Sequence, residues 1–270
     1  MHMHYEPKQL RICFIGNPRR PATGEACVLF AREAQARAIP ATLYDGTDEA
    51  ALRGAAILVA VGGDGSLIRG ARLACEHGLP ILGVNLGRVG FLAEIGPEDF
   101  GDALLRLQAG DYDLQERAML ALTLPGMAAV DCLNDVLLYK PTFSGVAHMR
   151  LVVGDEEVGS VYGDGIVVAT QTGAIGYSLS AGGPILTEGT SAMVITPICA
   201  HTIRLRPIVT GLDTVVRLSV EGRAVVAADG QQIGELKTGQ ELTVTRSPKT
   251  VSFIRLGRRN LFARIQEKLW

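Results

Sequence analysis

Ala60-Val61-Gly62-Gly63-Asp64-Gly65-Ser66 decides how the rest of the chain is read. It follows an apolar run at residues 55–59 and precedes residues 66–76, in which Leu67, Ile68, Ala71, Leu73 and Ala74 recur at helical spacing. The loop is therefore a turn from a strand into a helix, at the end of the strand where open α/β sheets bind ligands. Gly62, Gly63 and Gly65 let backbone N–H groups come close to a phosphate, and Asp64 then faces that ligand. The same residues also suit a plain surface turn in which Asp64 caps the helix, so the neighbouring segments have to separate the two readings.

Outward from the loop, residues 10–15, 41–44 and 79–84 read as further strands, and 24–38 and 97–109 as helices. Strands alternating with helices predict an α/β, Rossmann-like domain with a parallel sheet over residues 1–111. Residues 85–92 leave the fourth strand as a second glycine-bearing loop near the first. From Tyr112 the texture changes to short β-rich runs broken by Gly, Asp and Pro: 118–124, 128–139, 149–153, 165–170, 193–196, 214–220, 224–228, 242–245 and 251–254. That spacing predicts an all-β second domain over 112–255. Residues 256–270 read as a C-terminal helix returning to pack on the first domain.

A chain of 270 residues that is 47% hydrophobic has ample apolar content for a buried core. Its net charge of −2, from 26 basic and 28 acidic residues, gives no bulk attraction for nucleic acid or an acidic membrane, so an anionic ligand has to be held locally. The five cysteines, at 13, 27, 75, 132 and 199, contain no CxxC pair and predict reduced, buried thiols rather than disulfides or a metal site. Nothing approaches the roughly eighteen apolar residues that cross a bilayer, and residues 1–8 lack the apolar centre of a signal peptide, which predicts a soluble, cytoplasmic protein. His2 and His4 read as part of a flexible terminus.

Two familiar phosphate signatures are missing. There is no G-x-x-x-x-G-K-[ST], and residues 63–70 lack the G-x-G-x-x-G spacing, which argues against a P-loop enzyme and an ordinary dinucleotide dehydrogenase. A carboxylate inside an anion-binding loop is repelled unless a cation intervenes or it serves as a base, and phosphoryl transfer to a hydroxyl uses both devices. Asn134-Asp135 interrupts an apolar run, as a bulge or turn does, and also offers donors and acceptors for two vicinal sugar hydroxyls. Gly163-Asp164-Gly165 reads as a tight hairpin turn. Residues 169–184 are dense in small and hydroxyl side chains around Tyr177, which suits a nucleobase with its ribose or a cap and packed turn. Residues 197–202 and Asp229-Gly230-Gln231 read as loops, and His201 as a structural hydrogen-bonder.

In this order and spacing the pieces resemble the NAD kinase family over nearly the whole chain. The motifs are GGDG at 62–65, GVNLGRVGFL at 83–92, ND at 134–135, DGIVVATQTG at 164–173, YSLSAGGP at 177–184 and TPICAHT at 196–202. GGDG alone is shared with diacylglycerol and sphingosine kinases and related phosphofructokinases; the combination is specific. The resemblance implies transfer of the ATP γ-phosphate to the 2′-hydroxyl of the adenosine ribose of NAD, giving NADP. It also implies a divalent metal ion such as Mg²⁺ with ligands unknown, ATP or polyphosphate as donor, and a homodimer or homotetramer with sites near subunit contacts. By that likeness Asp64 is the general base, and Gly62, Gly63, Gly65 and Arg69 hold the phosphates of ATP. Asn134 and Asp135 match the pair that binds ribose hydroxyls, and Asp164 the aspartate near the nicotinamide. Thr172, Ile175, Gly176, Tyr177 and Ser180 match the adenosine pocket, with His148 and Gln231 as further NAD contacts.

Three departures accompany the likeness. Asp135 stands where glutamate is more usual, Ala200 where proline is, and Thr172-Gly173-Ala174-Ile175-Gly176-Tyr177 replaces T-G-S-T-A-Y with the loss of two hydroxyls. A hydroxyl lost from a pocket built around it costs on the order of 1 kcal/mol or more per unpaired partner, so active enzyme with altered adenosine contacts is expected. The alternative readings are an NAD(P)-binding regulatory module without catalysis and, third, a lipid kinase.

Overall fold

Ile12–Ile15 (β1) is apolar and buried at every position, as a strand covered on both faces must be. It leads through α1 (Pro21–Ala36), β2 (Ala41–Tyr44), β3 (Ile57–Val61), α2 (Asp64–Glu76) and β4 (Ile81–Val84) to α3 (Phe100–Ala109). The strands pair in parallel in the order β2-β1-β3-β4, with Ile12 opposite both Ala41 and Ile57, and Leu58 opposite Ile81. Phe100 of α3 packs on Phe14 of β1 and on Phe30 of α1, with ring centroids 5.9 Å apart for Phe14–Phe100 and 4.3 Å for Phe30–Phe100. Because the chain goes from β1 outward to β2 and returns to β3 on the other side, the sheet switches direction between β1 and β3. The loops after these two strands therefore part at their carboxyl ends, where such sheets form their ligand crevice.

The computed structural model describes residues 10–87, 90–201, 205–257, 262–263 and 265–266. Expectations for residues 1–8, Arg88, Val89, Thr202 and most of the tail helix fall outside these. The chain divides into two units: residues 1–117 with 250–270, and residues 118–249. β5 (Asp113–Thr123) begins in the first and continues in the second.

The second unit is built from antiparallel strands: β6 (Val130–Cys132), β7 (Asp135–Tyr139), β8 (Ala147–Val153), β9 (Glu156–Gly163), β10 (Gly165–Ala169), then the short helix α4 (Tyr177–Ser180), β11 (Ala192–Ile198), β12 (Ile208–Gly211), β13 (Val216–Glu221), β14 (Arg223–Ala228), β15 (Gln231–Lys237) and the first part of β16 (Glu241–Arg255). Six form one sheet in the order β12-β11-β10-β7-β14-β15. In the other, β13 lies between β16 and β8, and β8 pairs β9. Alternate residues of both sheets, among them Val136, Leu138, Leu151, Val168, Leu218 and Val226, share one buried apolar cluster. The end of β16 belongs to the first unit, where Phe253 pairs in parallel with Ile81 of β4.

Several expectations are corrected. The run 128–139 is two strands, broken at Leu133-Asn134, and the runs 242–245 and 251–254 are one strand of 15 residues. Gly163-Asp164-Gly165 is not a hairpin: β9 pairs β8, whereas β10 pairs β7 and β11, so the three residues carry the chain from one sheet into the other. Glycine is needed there because a Cβ would meet the Ile198 carbonyl at 2.8 Å from Gly163 and the Leu138 carbonyl at 2.6 Å from Gly165. Cys199 is exposed rather than buried, and Cys75 half-buried. Among the described residues no helix is long and apolar enough to cross a membrane.

Candidate functional site

In the first unit, β3 ends on Val61 and the glycine turn enters α2 directly, so Asp64 is the first helical residue. Gly62 has φ +138, and a Cβ there would meet Ser66 Oγ at 2.5 Å, so the fold itself requires glycine. Gly63 and Gly65 differ: a Cβ on either would meet nothing within 4 Å. Among the described residues packing gives no reason for glycine at these two positions, and the helix dipole at the first turn of α2 favours an anion beside them. Asp64 is half-buried; its Oδ2 accepts a hydrogen bond from Phe91 N–H at 3.0 Å and its Oδ1 one from Leu92 N–H at 3.2 Å. Gly90 permits this approach, since a Cβ on it would lie 1.9 Å from Asp64 Oδ1. The supporting loop is fixed in turn by Glu94, 2% exposed, whose carboxylate holds Arg255 Nη1 at 2.9 Å and Leu256 N–H at 2.9 Å.

Arg69 lies one turn into α2, and its Nη2 donates to the Gly16 carbonyl at the end of β1. Its Nε is buried with no hydrogen-bond partner among the described residues. Desolvation holds its pKa below the ordinary arginine value, against an opposing pull from Tyr44 and with a smaller contribution from Arg19. Arg69 and the nearby Arg19 thus bring positive charge to the carboxyl end of the parallel sheet.

In the second unit, the break between β6 and β7 puts Asn134 and Asp135 at the end of the six-stranded sheet. Asp229 accepts hydrogen bonds from the backbone N–H groups of Leu133 (2.9 Å), Asn134 (2.7 Å) and Asp135 (3.4 Å). From the other side, Thr170 Oγ1 donates to the Leu133 carbonyl at 2.6 Å and accepts from the N–H groups of Thr172 and Gly173, while Thr170 N–H donates to the Asn134 carbonyl at 2.8 Å. Gly173 is obligatory, because a Cβ would meet that Asn134 carbonyl oxygen at 2.1 Å. The structure thus brings Asn134, Asp135, Thr172 and Gly176 together. Asn134 Oδ1 is buried with no hydrogen-bond partner among the described residues, and burial, followed by the neighbouring Asp229, raises the Asp135 pKa to about 7. Tyr177 and Ser180, on α4, are exposed, whereas Ser178 between them is fully buried and bonded to Thr196 Oγ1 at 2.8 Å.

Asp164 and His148 lie away from this cluster, at the other end of β10 and on the other sheet. Asp164 sits at the sheet-to-sheet crossing with Lys140 Nζ 2.7 Å away, and this bond holds its carboxyl below the usual range. His148, on β8 of the other sheet, contacts Glu221 at 3.3 Å and the edge of Tyr162, and lines a cavity of about 380 Å³ with Arg150 and Gln240. Gln231 opens β15 two residues after Asp229. Sequence reasoning did not assign Asp229, Thr170 or Gly90 to the site; the signal available for Asp229 was a carboxylate in a turn dipeptide, Asp-Gly, facing an unexplained break in a strand.

Comparison with known proteins falls on both units. The ATP-NAD kinase N-terminal domain family matches residues 19–112 and the ATP-NAD kinase C-terminal domain family residues 133–256. The NAD kinase of Heliobacterium modesticaldum is 41% identical over 225 residues, covering 81% of this chain and 80% of its own. The fold is shared with yeast NADH kinase solved with NADH, at TM-score 0.85 and 20% identity over 97% of this chain and 88% of that one. It is shared also with an NAD kinase from Archaeoglobus fulgidus solved with ATP, at TM-score 0.78 and 24% identity over 96% and 98%. The glycine turn at 62–65 and the Asn134-Asp135 pair both lie within the matched segments, and the chain belongs to the ATP-NAD kinase family.

Proposed function

We propose that the protein transfers the γ-phosphoryl group of ATP to the 2′-hydroxyl of the adenosine ribose of NAD, with Asp64 as general base. The observation that carries this reading is a carboxylate fixed by two backbone N–H groups inside a glycine turn at the start of α2, where the helix dipole favours an anion. Two of its roughly four lone-pair positions are engaged, leaving others to accept the hydroxyl proton without rearrangement. Gly62, Gly63 and Gly65 present backbone N–H groups to the phosphates, and Arg69 supplies positive charge beside them. The unpartnered Asn134 Oδ1 and the Asp135 carboxyl bind the ribose hydroxyls. With its pKa near 7, Asp135 can donate as well as accept.

The exposed Tyr177 ring offers a stacking face to adenine, among Thr172, Ile175, Gly176 and Ser180. Asp164 serves the nicotinamide end, with His148 and Gln231 as outlying contacts. Among the described residues no three His, Cys, Asp or Glu side chains form a metal cage. Mg²⁺ suits such a site, since it keeps several waters and binds chiefly through substrate phosphates; when bound it spreads the charge on the phosphoryl group. The family likeness supports a cytoplasmic homodimer or homotetramer and either ATP or polyphosphate as donor. A non-catalytic module drew its support from the two lost hydroxyls. At the first of these two positions, Ala174 is fully buried against Leu186, Ala192 and Val194, where a methyl is at home.

The test is Asp64→Asn, assayed for NADP formation by mass with NAD, ATP and Mg²⁺. Turnover is expected to fall by about a thousandfold or more while NAD still binds in calorimetry. Near-normal turnover refutes the base assignment.

A further inference from the structure

Asp229 has no part in the chemistry above, yet its carboxylate collects the three backbone N–H groups of Leu133, Asn134 and Asp135. Leu133 and Asn134 lie in the break between β6 and β7, where the chain has left one sheet ladder and not yet joined the next, and Asp135 opens β7, so donors at the break need another acceptor. Asp229 sits in the two-residue turn between β14 and β15 at φ +48, followed by Gly230 at φ +74. Both residues are left-handed, the condition of a tight turn that aspartate and glycine satisfy readily. Its own N–H donates to the Asp135 carbonyl at 3.0 Å, so this turn and the break are joined in both directions.

The choice of a carboxylate carries a cost, because it stands beside a second, buried carboxyl, that of Asp135. Three converging donors explain it. Leu133 N–H uses Oδ2 and the other two use Oδ1, so both oxygens must accept. Asparagine has a single acceptor oxygen and would turn its NH₂ toward one of the donors.

We propose that Asp229 is a positioning residue for the acceptor substrate: it holds the β6–β7 break in the shape that presents Asn134 and Asp135 to the ribose hydroxyls of NAD. This rests on the reading of those two residues as ribose contacts. Asp229 touches neither substrate and acts through the backbone it holds, so its loss weakens NAD binding and leaves the donor untouched.

Steady-state kinetics of the full chain as wild type, D229N and D229E, with each substrate varied in turn, tests the proposal. D229N is expected to raise KM for NAD about tenfold or more while KM for ATP stays within about twofold. D229E, which keeps two acceptor oxygens, is expected to recover part of that loss. KM does not depend on how much of the sample is folded, so a less stable variant does not imitate the result. Should D229N not fold, D229S, with one shorter acceptor, is read by the same ratio. An unchanged KM for NAD, a parallel rise in both KM values, or a D229E no better than D229N overturns the positioning role. A wild type that makes no NADP overturns the proposed function instead.

Discussion

Gly90→Ala isolates the geometry of Asp64 without altering its chemistry. The added methyl would stand 1.9 Å from Asp64 Oδ1 and 2.6 Å from its Cγ, both far inside contact distance. To restore ordinary contact the carboxylate must withdraw by about 1.5 Å, or the loop must retreat and give up the bonds from Phe91 and Leu92. A displacement of about 1 Å at a reacting group costs on the order of a hundredfold in rate, so kcat for NADP formation should fall by about that factor. KM for ATP should change little, since Gly63 and Gly65 are unaffected. The assay is initial-rate NADP formation at saturating NAD and ATP, with circular dichroism confirming the native fold. A folded G90A with kcat within about threefold of wild type would refute the claim that this carboxylate must be held where it is.

Asp135→Asn tests the buried carboxyl through pH. The folded pKa, about 7, lies above the ordinary value of 3.8, so the folded state binds the proton more tightly. The stability this contributes is complete below about pH 4 and is lost as pH rises through 7, a swing on the order of 4 kcal/mol. Urea unfolding should therefore show D135N gaining on the wild type between pH 5 and pH 8; a difference independent of pH excludes the raised pKa. Glu94→Ala leaves the Arg255 guanidinium, 12% exposed, without its carboxylate and should cost about 3–5 kcal/mol in chemical denaturation. A loss below about 1 kcal/mol would mean that the pair is solvated in solution.

The parts of the fold that were legible share a physical cause. β1, β3 and β4 are covered on both faces and so read as unbroken apolar runs, and the turn into α2 announces itself by glycine. The strands that escaped notice are β9, β12 and β15, and each stands last in the order of its sheet. Edge strands carry charge and polar side chains as protection against stray pairing, so Glu156–Gly163 and Gln231–Lys237 lack the alternation that marks a strand. Within the site, Asp64, Asn134 and Asp135 were legible as carboxylates and an amide in unexpected surroundings. Asp229 and Gly90 were not. The reason for Asp229 is a set of bonds spanning up to 96 residues, and the reason for Gly90 is a side chain approached from 26 residues away, separations that local spacing does not encode.

β16 has a consequence for synthesis. β4 is buried throughout, and it is met along its outer side at Ile81 by Phe253, with Glu94 and Arg255 latching the same region. Translation proceeds at about 5–20 residues per second, so that side of β4 waits roughly ten to thirty seconds for its neighbour to emerge. During the wait the nascent sheet offers an unpaired apolar strand to any other chain nearby. A truncation placed before Thr250 would make the vacancy permanent, so the first unit cannot be expressed as residues 1–117 alone. It needs the later strand supplied, either in trans as a peptide or by a circular permutation that joins the two segments.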